Sequence, residues 1–156
     1  MEKKIVGFQL REEEFAFDIM KVVEIIKLKE ITEVPTAPSF VEGVINLRGK
    51  IVPIIDLRKR FNVDAGSRDK NYRIIIIEIE KKQIAGVMVD GVTKVMNAAE
   101  EQVLPPPAGV TETGGRYIEA IIKFGERIVV LLDPAKIFSE EEQEGLMKIS
   151  QTVEGA

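Results

Sequence analysis

The 156-residue chain contains no cysteine, no histidine and no tryptophan, and only two tyrosines. Without cysteine there is no disulfide, no zinc–thiolate centre and no thiol nucleophile. Without histidine, the Ser-His and Cys-His catalytic arrangements and histidine-ligated metals are excluded as well. No apolar run approaches the ~18 uncharged residues of a membrane-spanning helix, and Met1-Glu2-Lys3-Lys4 lacks the long apolar stretch of a signal peptide. Basic charge is not in excess: 22 Lys and Arg stand against 26 Asp and Glu, a net charge of −4. That balance, with aromatics at 6%, argues against a basic, base-stacking nucleic-acid surface. The absences together predict a cytoplasmic protein that is not an enzyme, with no cofactor, no metal, no nucleic-acid partner and no direct membrane insertion.

What is present is apolar material for a core. Hydrophobic residues make up 45% of a length that suits one domain or two small halves. Isoleucine occurs 21 times, glutamate 20 times against 6 aspartates, and lysine outnumbers arginine, a bias that leans toward a thermophilic source. The apolar runs are short and β-branched: 5–10, 15–19, 43–47, 51–57, 74–79, 84–89, 118–124 and 128–132, each bounded by Gly, Pro or charge. Arg48-Gly49 and Gly125-Glu126 read as two-residue hairpin tips of the Gly-X, type II′ kind. Glu12-Glu13 and Lys81-Lys82 read as two further tips.

An internal repeat organises these runs. IVGFQLREEEFAF (5–17) matches IIIIEIEKKQIAG (74–86) at an offset of 69. At 70, Val22, Ile25 and Ile26 fall on Val92, Val95 and Met96, and at 77 KIVPIIDLRKRF (50–61) falls on RIVVLLDPAKIF (127–138). The growing offset places an insertion in 105–115. Two copies of a five-strand unit predict an all-β fold of two small barrels, because curling removes exposed sheet edges. The expected boundaries are a single domain over 1–149, with a first barrel at 15–66 and a second at 67–138. The N-terminal strand and a C-terminal helix at 139–149 complete it, and 150–156 form a frayed tail. Asp56 and Asp133, at equivalent repeat positions, each open a short helical turn, and Ser139 with Glu142 forms a capping box. On the helix that follows, Leu146, Met147 and Ile149 are expected to face the barrels.

The paired aspartates also admit an aspartic-protease reading, but no Asp-Thr-Gly or Asp-Ser-Gly accompanies them, and capping accounts for both. The glutamate runs 12–14 and 140–142 lack the spaced ligands and turn glycine of a calcium loop. Arg48, displayed at a hairpin tip among apolar residues, reads either as an ordinary turn arginine or as an anchor on a partner.

The segments AFDIMKVVEII (16–26), GVINLRGKIVPIIDLR (43–58) and GVMVDGVTKVM (86–96) resemble, in order and spacing, the CheW family of bacterial chemotaxis coupling proteins. The resemblance runs from about Ile5 to Ile149. It implies two five-stranded SH3-like β-barrels plus a C-terminal α-helix, and a non-catalytic adaptor linking the cytoplasmic tips of chemoreceptors to the histidine kinase CheA. It also implies that Asn46, Leu47, Arg48 and Gly49, the NLRG turn, belong to a partner-binding surface together with Val22, Glu24, Val92 and Val95. Val22 and Val92 are repeat equivalents and are expected to line a common groove. The alternative it implies is a coupling module of a hybrid protein, fused to a receiver or to the kinase; an end at residue 156 after a capped helix speaks for the free-standing form.

Overall fold

The computed structural model describes residues 2–35, 37–61, 72–80, 83–107 and 117–154. The chain forms β1 (Lys3–Leu10), β2 (Glu13–Asp18), β3 (Val22–Lys27), β4 (Val41–Leu47), β5 (Lys50–Asp56) and α1 (Leu57–Arg60). There follow β6 (Arg73–Glu78), β7 (Ile84–Val89), β8 (Gly91–Ala98), β9 (Val103–Leu104), β10 (Ile118–Phe124), β11 (Arg127–Leu132), α2 (Pro134–Ile137) and α3 (Glu140–Glu154). The result is the mainly-β class expected: a six-stranded sheet ordered β8-β1-β2-β11-β10-β9 and a five-stranded sheet ordered β3-β6-β7-β5-β4.

The sheets correct the expected division into consecutive halves at 15–66 and 67–138. The first hairpin of each repeat has crossed over. β1–β2 pairs with β8 and β11 of the second repeat, while β6–β7 pairs with β3 and β5 of the first. The exchange is reciprocal to within one residue of register. Parallel pairing sets Ile54 opposite Gly86 in one sheet; in the other, Leu131, equivalent to Ile54 at the offset of 77, stands opposite Ala16, next to Phe17, the equivalent of Gly86 at the offset of 69. Bulges recur too, between Val41 and Gly43 on β4 and between Ile118 and Ala120 on β10, one repeat apart. Each bends its strand and increases the twist.

Three clusters of buried side chains follow from this arrangement. Phe8, Phe17 and Leu132 of one sheet meet Ile55, Ile75, Ile77 and Val87 of the other, with Ile137, Phe138 and Leu146 from the helices. Ile5, Met96, Ile122 and Leu131 fill the inner side of the six-stranded sheet; Ile45, Val52, Ile54, Ile74, Ile76 and Met88 fill that of the five-stranded sheet. Central strands are therefore buried on both faces, and this is why 74–77 is an unbroken isoleucine run.

Local signals set the ends of the helices. Asp56 accepts the Arg58 N–H at 3.0 Å and Asp133 accepts the Ala135 N–H at 3.0 Å. The Ser139 N–H donates to Glu142 Oε1 at 2.8 Å and the Glu142 N–H to Ser139 Oγ at 3.1 Å, the reciprocal pair of a capping box. Several expectations need correction. α3 continues to Glu154, so most of the expected tail is helical, and Met147 is exposed while Leu146 and Ile149 are buried. The first hairpin turns at Arg11-Glu12, one residue early, because Glu13 already pairs with Leu10. Arg48 and Gly49 both have positive φ (51° and 87°), the sign pattern of a type I′ turn; only Gly125 (66°) with Glu126 keeps the Gly-X form. The Lys81-Lys82 tip and most of the insertion region lie outside the described residues.

Candidate functional site

The β4–β5 turn is built to display Arg48. Strands paired from Val41↔Ile55 to Leu47↔Lys50 leave two residues to reverse the chain, and a type I′ reversal requires φ > 0 at both. Gly49 meets this without steric cost, and nothing lies within 4 Å of where its Cβ would be. Asn46 Oδ1 accepts the Gly49 N–H at 2.8 Å and locks the turn from its own flank. Leu47 points the other way, into the cluster inside the five-stranded sheet. Of the four NLRG residues, then, Leu47 and Asn46 anchor the turn, Gly49 permits it and Arg48 projects from it, with 72% of its side chain exposed.

The Arg48 guanidinium binds Glu24 of β3 through both carboxylate oxygens, Nη1 to Oε2 at 3.3 Å and Nη2 to Oε1. The Glu24 hydrogen bond and charge raise the Arg48 pKa above its ordinary value and keep the side chain cationic. β3 and β4 are the opposite edges of the five-stranded order, so this pair crosses a seam. Two further contacts cross it beside the pair: Lys29 Nζ donates to the Asn46 carbonyl at 2.8 Å, and Thr32 and Val44 exchange backbone hydrogen bonds at 2.8 Å. A Cβ on Gly43 would stand 2.4 Å from the Thr32 carbonyl oxygen, so glycine there lets the edges meet. The sheet curls back on itself.

Val22 and Val92 occupy equivalent places in the two sheets. Val22 pairs with Ile77 and Val92 with Phe8, and both are half-buried on the cluster between the sheets. On the same strands Ile25 is 39% and Val95 53% exposed. They pair with Ile75 and Val6, so they flank the inter-sheet core and form apolar lips on edge strands β3 and β8. The structure thus brings Glu24 together with Asn46, Arg48 and Gly49, and it brings Val22 together with Val92 on one cluster. Ile25 was missed by sequence reasoning, although its repeat equivalence to Val95 is a signal that finds it. Met20 and Val23, also strongly exposed on and beside β3, carry no sequence signal of their own.

The corresponding place in the six-stranded sheet has other chemistry. Gly125 stands at the tip, and Arg127 donates from Nε and Nη2 to Glu14 at 2.6 and 2.5 Å, with the Thr93 hydroxyl donating to Glu14 at 2.8 Å. Among the described residues no group of three or more Asp and Glu is placed to hold a metal, and no helix is long and apolar enough to cross a membrane.

Comparison with known proteins gives consistent results. The CheW-like domain family model matches residues 4–142. The chain is 34% identical over 150 residues to a chemotaxis protein CheW of Treponema pallidum, covering 94% of this chain and 88% of that one. It is 38% identical over 135 residues to a chemotaxis protein CheW of Klebsiella aerogenes, covering 86% and 81%. Its fold superposes on the crystal structure of the scaffolding protein TtCheW from Thermoanaerobacter tengcongensis with a TM-score of 0.82 and 41% identity, covering 91% of this chain and 96% of that chain.

Proposed function

This chain belongs to the CheW-like domain family, and from that premise we propose that it is a non-catalytic cytoplasmic adaptor coupling the tips of transmembrane chemoreceptors to the histidine kinase CheA. The observation that carries the reading is the Arg48 turn. A guanidinium stands largely in solvent on a turn fixed by Asn46 and Gly49 and by the seam it closes with Glu24. A rigid display of this kind loses little side-chain and loop entropy when a partner docks. Arginine presents a planar fork that binds a carboxylate or paired carbonyls in a way lysine cannot reproduce.

The apolar lips support a second part of the surface. Val22 and Val92 give a floor continuous with the core, while Ile25 and Val95 remain for a partner to cover. We assign Val22, Glu24, Asn46, Leu47, Arg48, Gly49, Val92 and Val95 to the docking surface, with Leu47 acting from below as an anchor. Each sheet is proposed to be an SH3-like barrel. The test is co-sedimentation of the chain with a receptor cytoplasmic fragment and CheA, scored by kinase activity in the pellet. The reading expects all three in the pellet and kinase activity that depends on this chain; a pellet of receptor and kinase indifferent to its presence overturns it.

A further inference from the structure

The chain crosses between the sheets twice, from β2 to β3 through Ile19–Lys21 and from β7 of the five-stranded sheet to β8 of the six-stranded sheet through the one residue Asp90. Its N–H donates to the Gln9 carbonyl at 3.0 Å, and its Oδ2 accepts the Arg11 N–H at 2.6 Å. Both partners belong to the β1–β2 hairpin. The other oxygen, Oδ1, stands 3.3 Å from Nε of Arg58 in α1, at the end of β5 in the opposite sheet. Arg58 is 4% exposed, lies over the Tyr72 ring at 4.6 Å, and has a second carboxylate, Asp56, at 3.9 Å.

One carboxylate thus ties a hairpin of the first sheet to a buried cation of the second. We propose that Asp90 is a positioning residue for the docking groove, and that its hold on Arg11 and Arg58 fixes how the two sheets face each other. Three features of the molecule support this role. Arg58 is buried and Asp90 partly so, and Nε and Oδ1 face each other as an ion pair with no hydrogen bond between them, so that losing Asp90 removes a counter-charge from a buried cation. Arg11 sits at φ 60° without being glycine, and the Asp90 carboxylate holds its N–H in that conformation. Val92 follows Asp90 by two residues, whereas its counterpart Val22 belongs to the other sheet, so a change in the angle between sheets moves the lips Ile25 and Val95 relative to each other. Asp56 remains beside Arg58 when Asp90 is replaced, so the buried cation keeps a counter-charge and the fold is expected to survive.

The role in the groove rests on the adaptor reading above; the hold on the sheets does not. The absence of cysteine allows clean placement of two spin labels, at Lys50→Cys in β5 and Lys123→Cys in β10. Pulsed electron–electron resonance on the full chain, without partner, reads the inter-sheet distance. Asp90→Ala is expected to shift or broaden a narrow distribution at unchanged far-ultraviolet circular dichroism, with Asp90→Asn intermediate. The unlabelled Asp90→Ala chain is expected to bind a receptor cytoplasmic fragment or CheA about tenfold more weakly without touching it. Distributions identical to wild type in a folded Asp90→Ala chain overturn the proposal. If Asp90→Ala does not fold, an Asp90→Asn chain with the wild-type distribution and affinity does so. A changed distance with unchanged partner affinity keeps the hold on the sheets and removes Asp90 from the groove.

Discussion

Arg48 and Glu24 are 24 positions apart, and nothing in their spacing pairs them. The turn itself was legible, because NLRG between two apolar runs specifies a hairpin and places an arginine on its tip. Its partner was not, since it depends on the two edges of a sheet meeting across a seam. Gly49 gives a direct check of that turn. A methyl there has open space but is held at φ 87°, so Gly49→Ala is expected to lower stability by about 1 kcal/mol through backbone strain alone, measured by denaturant unfolding. The two capping aspartates, equivalent in the repeat, now separate. Asp133 is a cap, and Asp133→Asn is expected to change stability little, because asparagine caps equally well. Asp56 is 2% exposed beside the buried Arg58, so Asp56→Asn also removes one of its two counter-charges, with Asp90 left at 3.3 Å, and is expected to cost more than Asp133→Asn. Equal melting temperatures for the two variants would contradict this assignment.

At the scale of elements, strands with simple alternation or bounded apolar runs were readable, and β3 and β8 were not. In β3, Val22 and Glu24 face consecutive residues of β6 across a bulge, so the doublets VV and II around a glutamate show no period of two. The caps of α1, α2 and α3 were readable because capping is local. How α3 is held was not. Arg60 donates to the Ile137 carbonyl at 3.0 and 3.2 Å and to Glu142 at 2.5 and 2.8 Å, and lies between Phe40 and Phe138. Burial pushes the Glu142 carboxyl up. The hydrogen bonds from Arg60 and the Ser139 N–H, with the Arg60 charge, outweigh this and hold it below its usual value. A carboxylate lowered on folding contributes stability that is fully present above its unfolded value near 4.5 and fades as pH falls through the folded one. Carboxyl NMR is expected to show Glu142 titrating below the ordinary glutamate value of 4.5, and Arg60→Met to move it upward as the first turn of α3 loosens. A titration unaffected by Arg60→Met would contradict the contact.

For the whole molecule, the repeat was plain in the sequence and the exchange of hairpins was not. Offsets of 69, 70 and 77 say which segments are alike; they do not say which segments pair, and the parallel contacts β5–β7 and β2–β11 that decide it are long-range. Because each sheet takes strands from both repeats, cutting the folded chain at a protease site placed between Phe61 and Tyr72 is expected to leave two fragments that co-elute and unfold in one transition. Fragments that separate in native buffer would contradict the exchange.

In the proposed function, docking is organised by the Arg48 turn and not by surface charge in general. Isothermal titration of a receptor cytoplasmic fragment and of CheA into the wild type, Arg48→Ala, Arg48→Lys and Arg127→Ala tests it most directly. Arg127 is the control, an arginine one residue past the equivalent turn tip of the other sheet, paired with Glu14 as Arg48 is with Glu24 but less exposed, 41% against 72%. Arg48→Ala is expected to lose more than ~2 kcal/mol of affinity, about thirtyfold, for at least one partner at unchanged melting temperature. Lysine is expected to recover part of it, and Arg127→Ala to bind near the wild-type level. Equal losses for Arg48→Ala and Arg127→Ala, or no loss for Arg48→Ala with either partner, would contradict it.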